Sequence, residues 1–380
     1  MTEKLYYTNA YIKEFTATVT AVTPIENGYF TVLDKTAFFP EGGGQTGDTG
    51  VIGDARVTDV QEKGGVIYHI TNIPLTVGES YICKIDFDLR FQKMQMHTAE
   101  HIVCGIIHNL YGFENVGFHL SDGIVTFDVS GYLGRRELDR VEELANRAVW
   151  DNLPVMIREY THEELLGIKY RAKLDGEDGL RIVKIGELDT CACCAPHVNT
   201  TGEIGLIKLL DAQKHRGGTR IILVAGASAL YDYRKKYESV KAISASLCAP
   251  QDEVSRAVAK SLNDIENINR ERKSFEANMA KYIADIIPES EGNYVLFLPD
   301  FSPVAMRELA NSLMGKTNSL IVLLSGIDGN YRFLIAQRDG DLSDTVKKAA
   351  LALSGRGGGR GGMAEGSFLA TKERILAYFA

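Results

Sequence analysis

Residues 16–88 alternate between short hydrophobic runs and glycine-rich turns. Four of the runs are rich in β-branched and aromatic residues, a composition that favours strands: TATVTAV, GYFTVLD, GVIYHI and SYICKIDFD. Several short strands joined by tight turns are typical of a small barrel. We therefore predict that residues 1–90 form an N-terminal β-barrel.

A helical repeat follows these strands. Apolar residues recur three or four positions apart between Met96 and Leu110, and Gly112 is placed to end the helix. The elements expected next are the strand GIVTFDV, the helix RRELDRVEELANRAVWDNL, a strand after Pro154, a short helix from Thr161, and the strand pair IGLIKLLDA and TRIILVAG. This succession predicts an α+β two-layer sandwich in residues 91–228, and hence an α+β multidomain fold.

From Val254 to Ile286 the apolar positions fall mostly three or four apart with charged residues between them. The pattern predicts that residues 229–288 are a helical or coiled linker whose long helix needs a partner. That partner is either within the chain, with the helix as a packed spacer, or in a homodimer formed through this helix or through the C-terminal domain. Residues 289–380 then read as a small α/β domain. We expect its glycine- and arginine-rich segment, residues 354–362, to be a loop.

Composition limits the class of protein. A chain of 380 residues can bury several cores. It has no apolar run of about 18 residues and no basic-then-apolar start, so we expect a cytoplasmic protein without a membrane segment. Six cysteines in this length are too few for a disulfide scaffold. The net charge of −8 argues against a non-specific coat on nucleic acid, yet it leaves room for a basic patch on one domain.

Two separated segments together predict a metal site. His97 and His101 lie one helical turn apart, which directs both imidazoles the same way. Cys193 and His197 have the C-x-x-x-H spacing of a turn that can hold one cation. Either pair alone is weak evidence, because zinc needs at least three protein ligands. Both in one chain favour a His₃Cys zinc site, or a three-ligand site with one position left for water.

Two alternatives stay open at this point. Cys191 and Cys194 form a C-x-x-C pair, which could supply a redox couple or a substitute ligand. The letters HTAEH also fit the H-x-x-E-H pattern of a zinc metallopeptidase, with Glu100 as the general base. Such proteases generally complete the site with a carboxylate, whereas this chain offers a cysteine and a histidine.

The segment TAFFPEGGGQTGDTGVI places Gly43, Gly44 and Gln45 between two predicted strands. Glycines allow the backbone to approach a ligand closely, and a glutamine amide can donate and accept hydrogen bonds. The plain alternative is a tight turn with a solvated glutamine. Taken alone, the segment favours that plain turn.

Taken together, the motifs resemble a known family. FFPEGGGQTGDTG, HTAEH and CCAPHVNTTGEIG, in this order and at these separations, resemble the editing domain of alanyl-tRNA synthetase and its free-standing relatives, the AlaX trans-editing proteins. The coiled segment and GRGGGRGGMAEGS resemble the C-terminal domain that these synthetases share with DHH-family phosphoesterases. The chain is similar to a long-form AlaX protein over nearly all its length. Nothing resembles the class II aminoacylation module, so we do not expect it to activate alanine.

The resemblance implies a function and a site. It places the zinc ligands at His97, His101, Cys193 and His197, although synthetases usually have CGGTH where this chain has CCAPH. The implied reaction is hydrolysis of the ester that joins serine or glycine to tRNA(Ala), with no indication of which is preferred. Zinc would then orient or polarise the reacting group or act only in positioning, and Gln45 would hydrogen-bond the terminal ribose or the attacking water. Gly43, Gly44 and His119 are the expected substrate-binding residues.

The C-terminal domain is the expected tRNA contact. Between Val346 and Arg374 six cationic side chains face two carboxylates, a local basic footprint. The resemblance implies that Gly357, Gly358, Gly359 and Arg360 contact the RNA, whereas a merely flexible loop is the alternative. A third possibility for the whole chain is a non-catalytic adaptor that binds tRNA or oligomerises.

Overall fold

The computed structural model describes residues 2–121, 123–172 and 180–379. The chain divides into two compact units, Met1–Ser239 and Val240–Ala380. Helices and strands are mixed in both units, so the prediction of a mixed α and β chain with more than one domain is confirmed. None of the described helices is both long enough and apolar enough to cross a bilayer.

The first unit begins with a closed barrel of antiparallel strands in the order β2-β3-β7-β6-β5-β8. The barrel strands are β2 (Glu14–Ile25), β3 (Gly28–Leu33), β5 (Gly50–Ile52), β6 (Ala55–Lys63), β7 (Val66–Thr71) and β8 (Ser80–Ile85). Alternate residues of β7 are buried, as expected for a strand with one face toward a core. Outside the barrel lie β1 (Glu3–Lys4), which pairs with β4 (Lys35–Thr36), and α1 (Leu5–Thr8).

Helix α2 (Phe87–Tyr111) is the central element of this unit. It ends where the sequence predicted, because Gly112 adopts the left-handed conformation with φ of 71° and its N–H bonds the carbonyl of His108. Every residue from Lys93 to Ile107 is buried. A helix buried on all sides must be packed by several neighbours, so its polar side chains need partners inside the protein.

A four-stranded antiparallel sheet and a second helix pack against α2. The sheet has the order β14-β15-β10-β9, and its members are β9 (Asn115–Ser121), β10 (Ile124–Val129), β14 (Ile207–His215) and β15 (Gly218–Ala225). Helix α3 (Arg135–Trp150) buries Val141, Ala145 and Val149 in the same core.

A smaller antiparallel sheet completes the first unit. It contains β11 (Val155–Tyr160), β12 (Leu180–Ile185) and β13 (Asp189–Ala192), with the short helix α4 (His162–Leu165) after β11. Strand β13 ends immediately before Cys193, so its pairing with β12 fixes where the cysteine turn starts.

The second unit holds a five-stranded sheet in the order β16-β17-β18-β20-β19. The division between the units falls within α5 (Gly226–Leu247). The remaining elements are α6 (Val254–Ile286), β16 (Tyr294–Leu298), α7 (Pro303–Leu313), β17 (Ile321–Ile327), β18 (Asn330–Ala336), α8 (Ser343–Ala352), β19 (Arg356–Arg360), β20 (Met363–Phe368) and α9 (Lys372–Phe379). The last turns of α6 pack on this domain through Ala280 and Ala284.

Gly357, Gly358, Gly359 and Arg360 were predicted to lie in a loop, but they belong to β19, which pairs with β20 at the edge of the sheet. A side chain at Gly357 would meet the ring of Phe333, and one at Gly359 would meet β20, whereas Gly358 faces open space. Close packing of the strand therefore accounts for two of the three glycines.

Candidate metal centre

Four predicted ligands come together in the first unit. Donor atoms of His97, His101, Cys193 and His197 all lie within 4.8 Å of one another. The ring centroids of His97 and His101 are 5.3 Å apart, and His197 lies 4.9 Å and 4.7 Å from them. All three histidines are buried, so the four donors face one enclosed point.

The cysteine comes to the helix from the turn after β13. Its sulfur lies 3.6 Å from Nε2 of His97 and 3.3 Å from Nε2 of His197. Arg181 on β12 fixes this turn by donating to the carbonyls of Cys193 and Ala195 at 2.8 Å and 2.9 Å. The turn is thus held by backbone contacts that do not use the four donors.

Each imidazole is oriented through its outer nitrogen. Nδ1 of His97 lies 2.8 Å from Oε1 of Gln45, and Nδ1 of His101 lies 2.9 Å from Oδ2 of Asp189. Nδ1 of His197 lies 3.0 Å from the hydroxyl of Thr98. These partners occupy all three Nδ1 atoms, which leaves the Nε2 atoms for a cation.

Electrostatics suits a bound cation. Burial lowers the pKa of His197 to about 3, so that ring is neutral and can act as a ligand at pH 7. Burial opposes ionisation of Cys193, but the neighbouring imidazoles of His97 and His197 and hydrogen bonds from His101 and His197 hold the pKa of its thiol well below the ordinary value. Burial lowers the pKa of His101, but hydrogen bonds with Asp189 and Cys193 outweigh it and hold this pKa well above the ordinary value, so that ring carries a proton that a bound cation would displace. A cysteine thiolate and histidine imidazoles are the donor types of protein zinc sites.

Asp189 supports the centre from behind. Burial raises the pKa of this carboxyl, but hydrogen bonds from His101 and Arg171 outweigh that effect and hold it below the usual value. Nε of Arg171 donates to Oδ1 at 2.8 Å while Oδ2 faces His101. The carboxylate therefore stays ionised and aligned on the histidine, as second partners of metal-binding histidines commonly do.

The geometry bears on which cysteine belongs to the centre. Cys193 is the thiol grouped with the three histidines, whereas Cys191 is grouped with His101 and Asp189. Cys194 is exposed and is in neither group. The arrangement therefore favours Cys193 as the thiolate ligand.

The glycine segment lies against the helix that carries two of the histidines. Gln45 is 0% exposed, so it is not the solvated residue of a plain turn. Along α2, Arg90 pairs with Asp48, Nζ of Lys93 donates to the carbonyl of Gly47 at 2.6 Å, and His97 meets Gln45. These α2 residues are spaced three and four apart, so one face of the helix binds the whole segment.

A cavity of about 940 Å³ opens beside the four donors. His97, His101 and Cys193 line it together with Gly43 and Gly44. A side chain at Gly44, whose φ is 82°, would collide with the carbonyl of Phe118. Glycine is therefore required for this segment to lie so close to the neighbouring strand.

The structure does not place His119 at the wall of this cavity. On β9 it is Phe118 that lines the cavity, with its ring 4.6 Å from that of His97. His119 is exposed, because successive side chains of a strand point to opposite faces. Histidine is the more common functional side chain, so the sequence drew attention to His119. The alternation of side chains along β9 decides that Phe118 faces the site instead.

Several residues of the site were not predicted: Thr98, Asp189, Arg171, Arg181 and Phe118. Thr98 could have been found, because it lies next to His97 within the buried run of the same helix. Asp189 and Arg181 lie on a sheet whose register the sequence does not reveal, and Arg171 forms an isolated bridge with Cys191 of that sheet.

Residues 180–222 match the family model for the threonyl and alanyl tRNA synthetase second additional domain. Residues 2–89 match the model for class II (A) tRNA synthetases. We expected no likeness to the class II aminoacylation module. The match to a class II model covers residues 2–89, which include the strands of the barrel.

Three relatives extend over nearly the whole chain. The alanyl-tRNA editing protein AlaX-L of Pyrococcus horikoshii is 30% identical, covering 99% of this chain and 97% of its own. The alanyl-tRNA editing protein Aarsd1 of Rattus norvegicus is 27% identical, covering 94% of this chain and 92% of its own. An alanine–tRNA ligase of Pyrococcus abyssi is 30% identical over 96% of this chain, which spans 42% of that ligase.

Proposed function

The chain belongs to the family of alanyl-tRNA editing proteins, and from this premise we propose that it hydrolyses the ester that joins serine or glycine to the terminal ribose of tRNA(Ala). The observation that carries the proposal is the set of three imidazoles and one thiol, of which His97, His101 and Cys193 line a cavity. About 940 Å³ is room enough for an aminoacyl group and part of a nucleotide.

The chemistry of alanine selection explains why such an activity is needed. A synthetase pocket shaped for a methyl group rejects an isostere with an added hydroxyl only by about a hundredfold. A smaller amino acid such as glycine cannot be excluded by size. A second site that hydrolyses the wrong ester therefore raises the accuracy of charging.

We assign a zinc ion to His97, His101, Cys193 and His197. The donors fit this ion because buried imidazoles with Nε2 directed inward and an ionisable thiol are the ligands of protein zinc sites. When bound, zinc would supply a positive charge that polarises an oxygen of the ester or of water.

The other residues act around that centre. Gly43 and Gly44 bring backbone without side chains to the cavity wall, so the substrate can approach their peptide groups closely. Gln45, for which a direct contact with ribose or water was expected, is buried with Oε1 on His97. We therefore assign Gln45 to positioning His97, and Phe118 to the apolar wall beside that ring.

The second unit is assigned to tRNA binding. Arg356 and Arg360 at the two ends of β19 are exposed and can reach phosphate groups. Gly358 between them leaves open space above the strand, where a folded RNA could approach the backbone. We therefore keep the predicted tRNA contact of residues 357–360, which lie on strand β19, and add Arg356 to it.

Helix α6 is assigned to a homodimer contact. Leu262, Ile265, Ile268 and Phe275 are each more than half exposed and mostly three or four residues apart. An apolar stripe of this kind is stabilised by a second helix. Sedimentation equilibrium should show a dimer, and Ile265→Glu should shift it toward the monomer; a wild-type chain that stays monomeric at all concentrations would contradict this assignment.

A deacylation assay tests the proposed function. Zinc-loaded protein is mixed with tRNA(Ala) charged with serine, glycine or alanine, and loss of the ester is followed. We expect hydrolysis of the serine ester, the glycine ester or both, well above that of the alanine ester. Cys193→Ser should lose zinc and activity, whereas Cys248→Ser, at an exposed cysteine of the other unit, should keep both.

The result also separates an enzyme from an adaptor. A protein that binds zinc and tRNA but hydrolyses none of the three esters would contradict the proposal and favour the adaptor. Hydrolysis of the alanine ester at the same rate as the others would contradict its selectivity.

A further inference from the structure

One acidic side chain at the cavity has no part in the centre described above. Glu100 lies on α2 between the two helical histidines, is 4% exposed, and lines the cavity. Its carboxylate is in neither group of donor atoms that could hold a metal. In the H-x-x-E-H pattern of zinc metallopeptidases this residue would be the general base. Peptidase activity is not part of the function proposed for this family.

The carboxylate is held in place by neutral donors. The thiol of Cys104, one turn later on the same helix, donates to Oε1 at 3.0 Å. Nδ2 of Asn115 on β9 donates to the same oxygen. Since both donors act on Oε1, the group is fixed in orientation while Oε2 accepts no hydrogen bond from any residue that the structure describes.

Glu100 also has no cationic partner. No lysine, arginine or histidine in the described part of the chain forms an ion pair with it. Of the arginines that line the cavity, Arg171 is bound to Asp189, and Arg181 donates to the carbonyls of Cys193 and Ala195. Buried carboxylates are normally paired with a cation, because burying an uncompensated charge is costly. A pre-oriented, unpaired carboxylate at a cavity is therefore suited to a cation that arrives with the substrate.

We propose that Glu100 binds the α-ammonium group of the aminoacyl ester. The inference rests on the proposed function, and it names the part of the substrate that this residue recognises. Every amino acid esterified to tRNA carries such a group, whereas an N-acylated or peptidyl ester does not. Glu100 would thus orient the ester in the cavity and exclude esters whose nitrogen is blocked.

The contact is tested with a pair of substrates that differ only at that nitrogen. One is seryl-tRNA(Ala), and the other is the same tRNA esterified with glyceric acid, in which a hydroxyl replaces the ammonium group. Rates are divided by the spontaneous hydrolysis rate of each ester, because the ammonium group itself activates the ester. We compare four proteins: wild type, Glu100→Gln, Glu100→Asp and the control Glu143→Gln. Glu143 is an exposed residue of α3 that pairs with Arg140.

We expect Glu100→Gln to lower kcat/KM for the seryl ester by roughly 10- to 100-fold, the range of a charge-assisted hydrogen bond, and to leave the glyceric ester within about threefold of wild type. Glu100→Asp, which keeps the charge, should recover part of the selectivity. Glu143→Gln should match wild type on both substrates. Zinc content and circular dichroism are recorded for every variant.

Other outcomes would overturn the inference. An equal loss on both esters would place Glu100 at the ester or water rather than at the ammonium group. Loss of zinc in Glu100→Gln would make it a ligand, and no loss on either ester would leave it without a role. If Glu100→Gln does not fold, the wild-type protein alone tests the inference. Its kcat/KM, divided by the spontaneous hydrolysis rate, must then be more than roughly 10-fold higher for the seryl ester than for the glyceric ester.

The failure of this inference and the failure of the proposed function give different results. A wild-type protein that hydrolyses none of the charged tRNAs contradicts both proposals. A wild-type protein that deacylates seryl-tRNA(Ala) and the glyceric ester equally well keeps the proposed function and contradicts the role of Glu100 alone.

Discussion

Oε1 of Gln45 lies 2.8 Å from Nδ1 of His97, and both side chains are buried. An amide oxygen accepts a hydrogen bond, so this contact requires the proton of the imidazole to be on Nδ1. The lone pair of His97 is then on Nε2, which faces Cys193 at 3.6 Å. A residue of the glycine segment thereby determines the tautomer of a proposed ligand on the helix.

Gln45→Ala should weaken zinc binding by roughly 10- to 100-fold, because the second partner that orients a ligand histidine is lost. Competition with a chromophoric chelator measures this affinity, and deacylation at saturating zinc is measured in parallel. The control is Gln213→Ala, an exposed residue of β14. Unchanged affinity together with lost deacylation would instead restore Gln45 to a direct contact with the substrate.

Asp189→Asn tests the corresponding support of His101. An asparagine can still bond one neighbour, but it cannot accept from both His101 and Arg171 with the charge of a carboxylate. We expect zinc affinity to fall by roughly 10- to 100-fold and the variant to be less stable than wild type. Asp139→Asn, whose carboxylate is exposed and pairs with Arg135, should change neither quantity measurably.

Sequence reasoning succeeded where a residue's partner was close in the chain or its chemistry was rare. The i, i+4 pair of His97 and His101 and the spacing of Cys193 and His197 were enough to predict that they meet, because few other arrangements use those side chains at those separations. The helix end at Gly112 followed for the same local reason.

Sequence reasoning failed where tertiary packing decides. Strand β6 was not predicted, since ARVTDVQEK carries four charged residues that the alternating pattern places mostly on its outer face. A segment rich in glycine predicts a loop, whereas the glycines of β19 permit close packing on β20 and Phe333. The choice between Phe118 and His119 depended on the register of β9, which no local signal reveals.

The ion pair of Arg90 with Asp48 is fully buried and binds the glycine segment to α2. Arg90→Met should destabilise the protein by about 3–5 kcal/mol, because Asp48 is left as an uncompensated buried charge. Urea denaturation followed by circular dichroism measures the change. Arg56→Met is the matched control: its partner Asp86 and its own side chain are each about a third or more exposed, so less than about 1 kcal/mol is expected.

The assignment of tRNA binding to β19 can be tested without deleting the domain, whose core includes residues of α6. Arg360→Gln should weaken tRNA binding and lower the slope of log K against log salt by about one, the change expected for one lost phosphate contact. Gly358→Ala should fold normally because its position is open, and it should weaken binding only if RNA approaches the backbone there. Arg135→Gln, at an exposed arginine of α3 in the first unit, is the control, and an unchanged salt slope for Arg360→Gln would contradict the assignment.

His69 provides a prediction about acid stability. It is completely buried in the barrel, with Nε2 2.8 Å from the hydroxyl of Thr36 and Nδ1 3.0 Å from the carbonyl of Thr31. Burial lowers the pKa of His69 to about 4 in the folded protein, against 6.5 for an unperturbed histidine. Between these values the unfolded chain binds a proton that the folded chain does not. His69 therefore makes its full contribution to the free energy of unfolding above pH 6.5. This contribution falls by about 3 kcal/mol as the pH is lowered toward 4.

His69→Gln removes the titrating group while retaining an amide that can bond the same neighbours. We expect its free energy of unfolding to be lower than that of wild type at pH 7.5 but less dependent on pH between 6.5 and 4. Urea titrations at intervals across this pH range give the free energy of unfolding of each protein. The contributions of the titrating groups that both proteins share cancel in the difference between the two values. His162→Gln, at an exposed position of α4, should follow the wild-type curve. Parallel curves for wild type and His69→Gln would show that His69 does not stay neutral when buried.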